Sequence, residues 1–422
     1  MNRDIALSYG ILSNIYFKGA YSSIEITRSL ENVEKKDRIV RIVYGVLDRD
    51  VELDYYVDAL SRKSVKSDAR LIIKIAIYCI VYMDNIPNYA AVDNAVDLCR
   101  HINRREYTGF VNAVLKRFID EGVKLPTREY ESLSVTLSKP LWLVKSLIKQ
   151  YGREEAVKIM SYEGDTREHV RPNTRRMSYD ELTAKLREKK IRYIESGVGG
   201  AFVDNCEYIR KLFDKGSITI QGKSSVMCVQ AMGVEEGDVV LDLCSAPGGK
   251  AVYIEEIAKD VSVTANELHE HRAELIKSYA RRMGARLEVT LFDATLLNAA
   301  WMGKFDKVLA DVPCSGLGVM HKKGDVLLGK TPEDIESLSN IQYAILNNAI
   351  EYAKSGGAII YSTCTILREE NYNIVGRLLK ERNDIFLEKI EGLDIENNGS
   401  IQILPTNTYG ADGFFVAKLR KR

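Results

Sequence analysis

None of the seven cysteines of this 422-residue chain lies in a C-x-x-C pair. Their scatter, over Cys79, Cys99, Cys206, Cys228, Cys244, Cys314 and Cys364, excludes a zinc knuckle and a disulfide scaffold. An odd number of thiols suits a reducing compartment. Excess charge is lacking too. The 60 Lys and Arg residues against 59 Asp and Glu leave a net charge of +1, so any nucleic-acid contact must come from local patches rather than a global basic field. Long apolar runs are absent. Residues 71–83 are the longest, are interrupted by Lys74, and fall short of the ~20 needed to cross a bilayer. Met1-Asn-Arg-Asp4 has no signal-peptide layout, and there is no repeat or low-complexity tract. These absences describe a cytoplasmic protein with no membrane segment and no metal, expected as a monomer. What is present is a 45% hydrophobic chain long enough for two or three domains.

Residues 1–120 read as all-helical. Apolar residues recur at helical spacing in Ile5, Tyr9, Leu12 and Tyr16, and again in Ile39, Ile42, Val43, Val46 and Leu47. Residues 71–83 are apolar nearly all round, as in a central buried helix. Pro87 is expected to end it and Asn88 to start a turn, with further helices over 90–99 and 110–118. Three runs carry a likeness: Asp37-Arg38 with Val43-Tyr-Gly-Val-Leu47; Ala76-Ile-Tyr78 with Met83-Asp-Asn-Ile-Pro87; and Gly109-Phe-Val-Asn-Ala-Val-Leu-Lys116. Together they resemble the NusB-like domain over residues 3–118, which implies a helical, RNA-associated module. The expected division is a NusB-like RNA-binding domain over 1–125, a small α+β connector over 126–232 and a catalytic α/β domain over 233–422.

In the connector a helix follows Pro140, residues 170–174 are extended because Pro172 disfavours helix at Arg171, and residues 216–221 alternate like a strand. Arg171, Arg175 and Arg176 form a basic cluster that could hold phosphate or form a solvated face.

From residue 233 an α/β pattern takes over. Residues 239–243 read as a buried strand that runs into Cys244, Ser245, Ala246, Pro247, Gly248, Gly249 and Lys250, and then a helix. A Gly-rich turn between a parallel strand and a helix is where doubly wound folds bind nucleotide-like cofactors. The spacing is neither G-x-G-x-x-G nor the G-x-x-x-x-G-K-[ST] phosphate loop, so the ligand need not carry a pyrophosphate and S-adenosylmethionine fits better. Glu267 follows the next strand, placed for ribose hydroxyls. Asp293 follows the third, placed for an adenine amino group, and Asp311 ends the fourth. Three acids at successive strand ends line one crevice.

Asp311-Val-Pro-Cys-Ser-Gly316 closes the fourth strand and Ser362-Thr-Cys364 the fifth, so Cys314 and Cys364 sit on the ligand-binding edge. A thiolate suits addition to carbon 6 of a pyrimidine, which turns the ring into an enamine whose carbon 5 can take a methyl group. The residues alone do not say which cysteine attacks. Asp242-Leu-Cys-Ser-Ala-Pro-Gly-Gly-Lys250, Asp311-Val-Pro-Cys-Ser-Gly316, Ser362-Thr-Cys364 with Glu370-Asn371, and Asp412-Gly-Phe-Phe415 resemble the RNA cytosine carbon-5 methyltransferases. With the NusB-like N-terminus, the whole chain is similar to those of the RsmB (Sun/Fmu) type, which act on 16S ribosomal RNA. The resemblance implies a Rossmann-like catalytic domain in which Cys364 attacks the base and Cys314 assists product release. It also implies that residues 244–250, Glu267, Asp293 and Asp311 surround S-adenosylmethionine. Glu267 stands where the family usually has Asp, and Gly222 where an acid is common. Residues 413–419 would form the antiparallel edge strand.

Overall fold

The computed structural model describes residues 2–61, 63–165, 167–406 and 410–422. The chain packs as two compact units: residues 1–161 with 320–330, and residues 162–319 with 331–422.

The first unit is helical. Its central helix, Ser67–Tyr82, is buried on almost every side, as its apolar composition requires. Helices Arg3–Lys18, Asp37–Asp48, Asn88–His101 and Thr108–Glu121 pack around it through one continuous core. Gly45 is set by packing: a Cβ there would lie 2.0 Å from the Tyr78 ring, which rests on that helix. Asn88 opens a helix rather than the expected turn, because Pro87 fixes an extended entry and takes the place of a helix start. The three helices Glu129–Thr136, Leu141–Tyr151 and Arg153–Ser161 also belong here. Residues 320–330 return to this unit: Leu328 packs on the helical core, the Asp325 carboxylate accepts from Ser22 N–H at 2.9 Å, and Lys330 O accepts from Trp142 Nε1 at 3.0 Å.

The second unit holds two sheets. The smaller is antiparallel, formed by β1 (Glu168–Pro172), β2 (Tyr193–Glu195), β3 (Ala201–Val203) and β4 (Ile218–Ile220) in the order β2-β3-β1-β4. The larger contains β5 (Val239–Asp242), β6 (Ser262–Glu267), β7 (Glu288–Leu291), β8 (Phe305–Asp311), β9 (Ala353–Thr363), β10 (Ile385–Leu387), β11 (Ser400–Ile403) and β12 (Phe414–Lys421). Its order is β10-β12-β9-β8-β5-β6-β7, with β5 to β9 parallel and β12 antiparallel to β9. Apolar clusters cover both faces, which is why these strands read as continuous hydrophobic runs. β12 is not the expected edge: the short β10 and β11 pair with its outer side. At three and four residues, these two strands leave almost no periodic signal in the sequence.

The arginine cluster does not wait for phosphate. Arg171 is buried: it donates to the Glu256 carboxylate at 2.7 Å and to Gln221 Oε1 at 3.1 Å, and lies 4.0 Å from the Tyr253 ring centre. Arg175 binds Glu255 and donates to Gly284 O at 2.9 Å, while Arg176 donates to Lys215 O. The cluster fastens the small sheet to the helices of the large one. Removing one partner of a buried ion pair strands the other charge. Arg171→Met is therefore expected to cost about 3–5 kcal/mol, read by urea unfolding; a loss below about 1 kcal/mol would show the pair to be dispensable.

Candidate active site

The crevice lies at the carboxyl ends of β8, β5, β6 and β7. After β5 the chain turns through residues 243–248, with Ser245 N–H donating to Asn266 O at 2.8 Å and Gly248 N–H to Ser245 O at 2.7 Å. Gly248 has φ +104, a conformation that side chains disfavour, and a Cβ there would press on Ile276 at 3.2 Å. Helix Gly249–Ile257 starts at once, so the turn presents backbone rather than side chains. Nothing in the local sequence marks Asn266 as a structural residue. It is fully buried, and its Nδ2 donates to Leu243 O at 3.0 Å and Phe292 O at 2.9 Å, holding the ends of β5, β6 and β7 together.

Each expected acid occupies a distinct setting. Glu267 ends β6, is buried, and accepts from His269 N–H at 3.2 Å and from Arg272 at 3.3 Å. Asp293 follows β7 and accepts from Thr295 N–H at 2.9 Å and its hydroxyl at 2.7 Å. Asp311 ends β8 and receives Lys250 Nζ at 2.6 Å and the Ser362 hydroxyl at 2.7 Å. Burial, the largest single influence, would lower the Lys250 ammonium; the Asp311 charge, its hydrogen bond and the further charge of Asp242 act together to outweigh it and raise the group instead.

Behind them Asp242 is pushed up to about 7, first by burial and then by the like charge of Asp311, against the pull of Lys250. The folded chain thus keeps a proton that the unfolded chain releases near pH 4. The stability this contributes is full below pH ~4 and is lost as pH rises through ~7. Asp242→Asn removes the dependence. From pH ~5 to ~8 the variant is expected to gain roughly 2–3 kcal/mol relative to wild type in urea unfolding; parallel curves would contradict the shift.

The two cysteines meet. Cys314 Sγ lies 3.1 Å from Cys364 Sγ, both partly exposed. Backbone hydrogen bonds join their loops to the start of β12: Gly318 N–H donates to Cys364 O at 2.9 Å and Gly413 N–H to Gly318 O at 2.9 Å. A Cβ on Gly318 would fall 1.9 Å from Gly413 O, and one on Gly413 would fall 2.7 Å from Gly318 Cα, which explains glycine at 318 and at 413 in the Asp412-Gly-Phe-Phe415 motif. Asn371 Nδ2 donates to Thr365 O at 3.0 Å and Gln402 Oε1 at 2.8 Å. The structure therefore brings Cys314, Cys364, Asp311 and Lys250 to one end of the crevice. Glu267 and Asp293 stand across the glycine turn from them.

A family model described as NusB family matches residues 4–120, and one described as 16S rRNA methyltransferase RsmB/F matches residues 229–420. A Bacillus subtilis (strain 168) protein described as "Probable ribosomal RNA small subunit methyltransferase B" is 32% identical across 100% of this chain and 98% of its own length. The chain belongs to the ribosomal RNA small subunit methyltransferase B family. As a member it is an S-adenosylmethionine-dependent rRNA methyltransferase. Its fold is shared with the crystal structure of PH0851, at a TM-score of 0.84 and 20% identity, over 100% of this chain and 99% of that one. Pyrococcus horikoshii NSun6, solved with SFG, superposes at a TM-score of 0.59 and 22% identity, over 67% of this chain and 98% of that one.

In this methyltransferase a groove of about 1310 Å³ opens at the other end of β6 and β7, beside Lys259, Arg281 and Arg286, and is lined by neither Cys314 nor Cys364. Among the described residues no group of three or more His, Cys, Asp or Glu side chains could hold a metal, and no helix is long and apolar enough to cross a membrane.

Proposed function

We propose that this enzyme methylates carbon 5 of a cytosine in 16S ribosomal RNA through a covalent cysteine–pyrimidine adduct. The reading is carried by the 3.1 Å approach of two sulfurs beside the Lys250–Asp311 pair. Two thiols at adjacent strand ends serve a reaction that needs both an attacking and a releasing group.

Cys364, as thiolate, forms a bond to carbon 6, and the ring electrons move to carbon 5. S-adenosylmethionine supplies the electrophilic methyl group that carbon 5 captures. The proton on carbon 5 must then leave so that the ring electrons can expel the Cys364 sulfur. Cys314, in contact with that sulfur, assists this release. Asp311 would lie near both the cofactor and the target base, and Lys250 supplies its counter-charge. The tight backbone turn over residues 244–250, which the positive φ of Gly248 and its close packing on Ile276 allow, suits a cofactor held by main-chain groups. Glu267 would take the ribose hydroxyls and Asp293 the adenine amino group. The target base must leave its stack to expose carbons 5 and 6, so an unpaired site is expected. Residues 1–125, matched to the NusB family over 4–120, would recruit the RNA.

Methyl transfer from labelled cofactor, compared on deproteinised small-subunit RNA and on tRNA and followed by mapping of the modified base, tests the proposal. It predicts one 5-methylcytosine in small-subunit RNA. Preference for tRNA, or a methyl group on any other atom, would overturn it.

A further inference from the structure

Behind the two sulfurs lies a buried carboxylate that the steps above do not use. Glu370 is fully buried, and no lysine or arginine pairs with it among the described residues. Its carboxylate accepts from Ser315 N–H at 2.8 Å, from the Ser315 hydroxyl at 2.5 Å and from Gln342 Nε2 at 2.9 Å. Ser315 adjoins Cys314. Its hydroxyl also meets that of Thr365, at 2.8 Å, and Thr365 adjoins Cys364. One carboxylate thus reaches, through one serine, the neighbours of both reactive residues. Gln342, fully buried in helix Pro332–Tyr352, braces it from behind and donates to Pro313 O at 2.9 Å, on the other side of Cys314. The Tyr361 hydroxyl donates to Glu370 O at 2.5 Å and anchors its backbone.

A buried charge with no cation is costly even when hydrogen-bonded, and an amide would spare the charge. The placement of the charge gives it a use. Two sulfurs 3.1 Å apart lose their protons as a pair, and after the first ionisation one proton remains between them. We propose that Glu370, braced by Gln342, is a positioning residue that fixes the spacing of the two cysteine loops and, through its charge, keeps the shared proton on Cys314 so that Cys364 is the thiolate. The Cys314 thiol is accordingly held well above its ordinary range, by its bond to Cys364 first, then by burial, the Cys364 charge and Glu370. The other ionisable group in this network, the Tyr361 phenol, is raised by burial and then by the Cys314 and Glu370 charges, and so stays neutral. The inference rests on Cys364 being the attacking residue.

Iodoacetamide alkylation of the full chain near neutral pH, with the two cysteine peptides quantified by mass spectrometry, reads the location of the proton without RNA, cofactor or turnover. In wild type Cys364 is expected to react about tenfold or more faster than Cys314, because the thiolate is the reactive form. Glu370→Gln keeps the shape and removes the charge, and should bring the ratio toward one. An unchanged ratio in that variant overturns the proposal. So does a wild-type Cys314 that reacts as fast as Cys364, a result that needs no variant to fold. Wild-type protein that shows the preference yet never forms an RNA adduct would support the location of the proton and count against the covalent reading of the site instead.

Discussion

Cys364→Ala is expected to lower methylation by roughly 10³-fold or more while S-adenosylmethionine still binds. The reason is electronic. Carbon 5 of a neutral cytosine is too weak a nucleophile to displace a sulfonium unaided, and without a sulfur on carbon 6 the ring never becomes an enamine. The substitution removes one atom in contact with Cys314 and leaves the glycine turn, Glu267 and Asp293 untouched. Calorimetric titration with cofactor, beside a methyl-transfer assay, separates the two effects. Activity near that of wild type would remove Cys364 from the chemistry.

Cys314→Ala is expected to trap the opposite stage. Addition at carbon 6 and methyl capture need only the Cys364 thiolate, but expulsion of the sulfur needs the carbon 5 proton to leave. With Cys314 gone, the enzyme should remain bonded to its RNA and run as a retarded band on a denaturing gel. The double variant Cys314→Ala/Cys364→Ala should show no such band, which ties the bond to the second sulfur. A Cys314→Ala protein that binds RNA and cofactor but yields no retarded band would assign release to another group.

Much of this arrangement was legible in the residues. Strands β5, β8 and β9 announce themselves because both faces of the sheet are covered, so the buried stretch of each reads as an apolar run, stopped by Asp242 and Asp311 in the first two. The paired motifs at Cys314 and Cys364 follow from topology, since adjacent parallel strands bring their carboxyl ends together. Other parts were hidden, for a common reason. Gln342 and Glu370 are 28 residues apart in the chain, and a polar residue on a helix gives no local hint that it is buried. Asn266 reads as an ordinary polar residue in a strand until its bonds to the ends of two others are seen. The arginines 171, 175 and 176 look like a phosphate patch because the acidic partners of the first two, Glu256 and Glu255, lie some 80 residues further on, and the third is held by the Lys215 carbonyl. Charge neutralised across such distances is invisible to a reading of local composition.

The return of residues 320–330 to the helical unit has a consequence for synthesis. A ribosome that has released the first 161 residues has not yet made the segment that covers Leu47 and Asp48. The helical unit stays unfinished until β8 has been translated, and three peptide crossings, not one hinge, then tie the two halves. A fragment cut at a single boundary leaves one half with an uncovered groove and the other with a stranded loop.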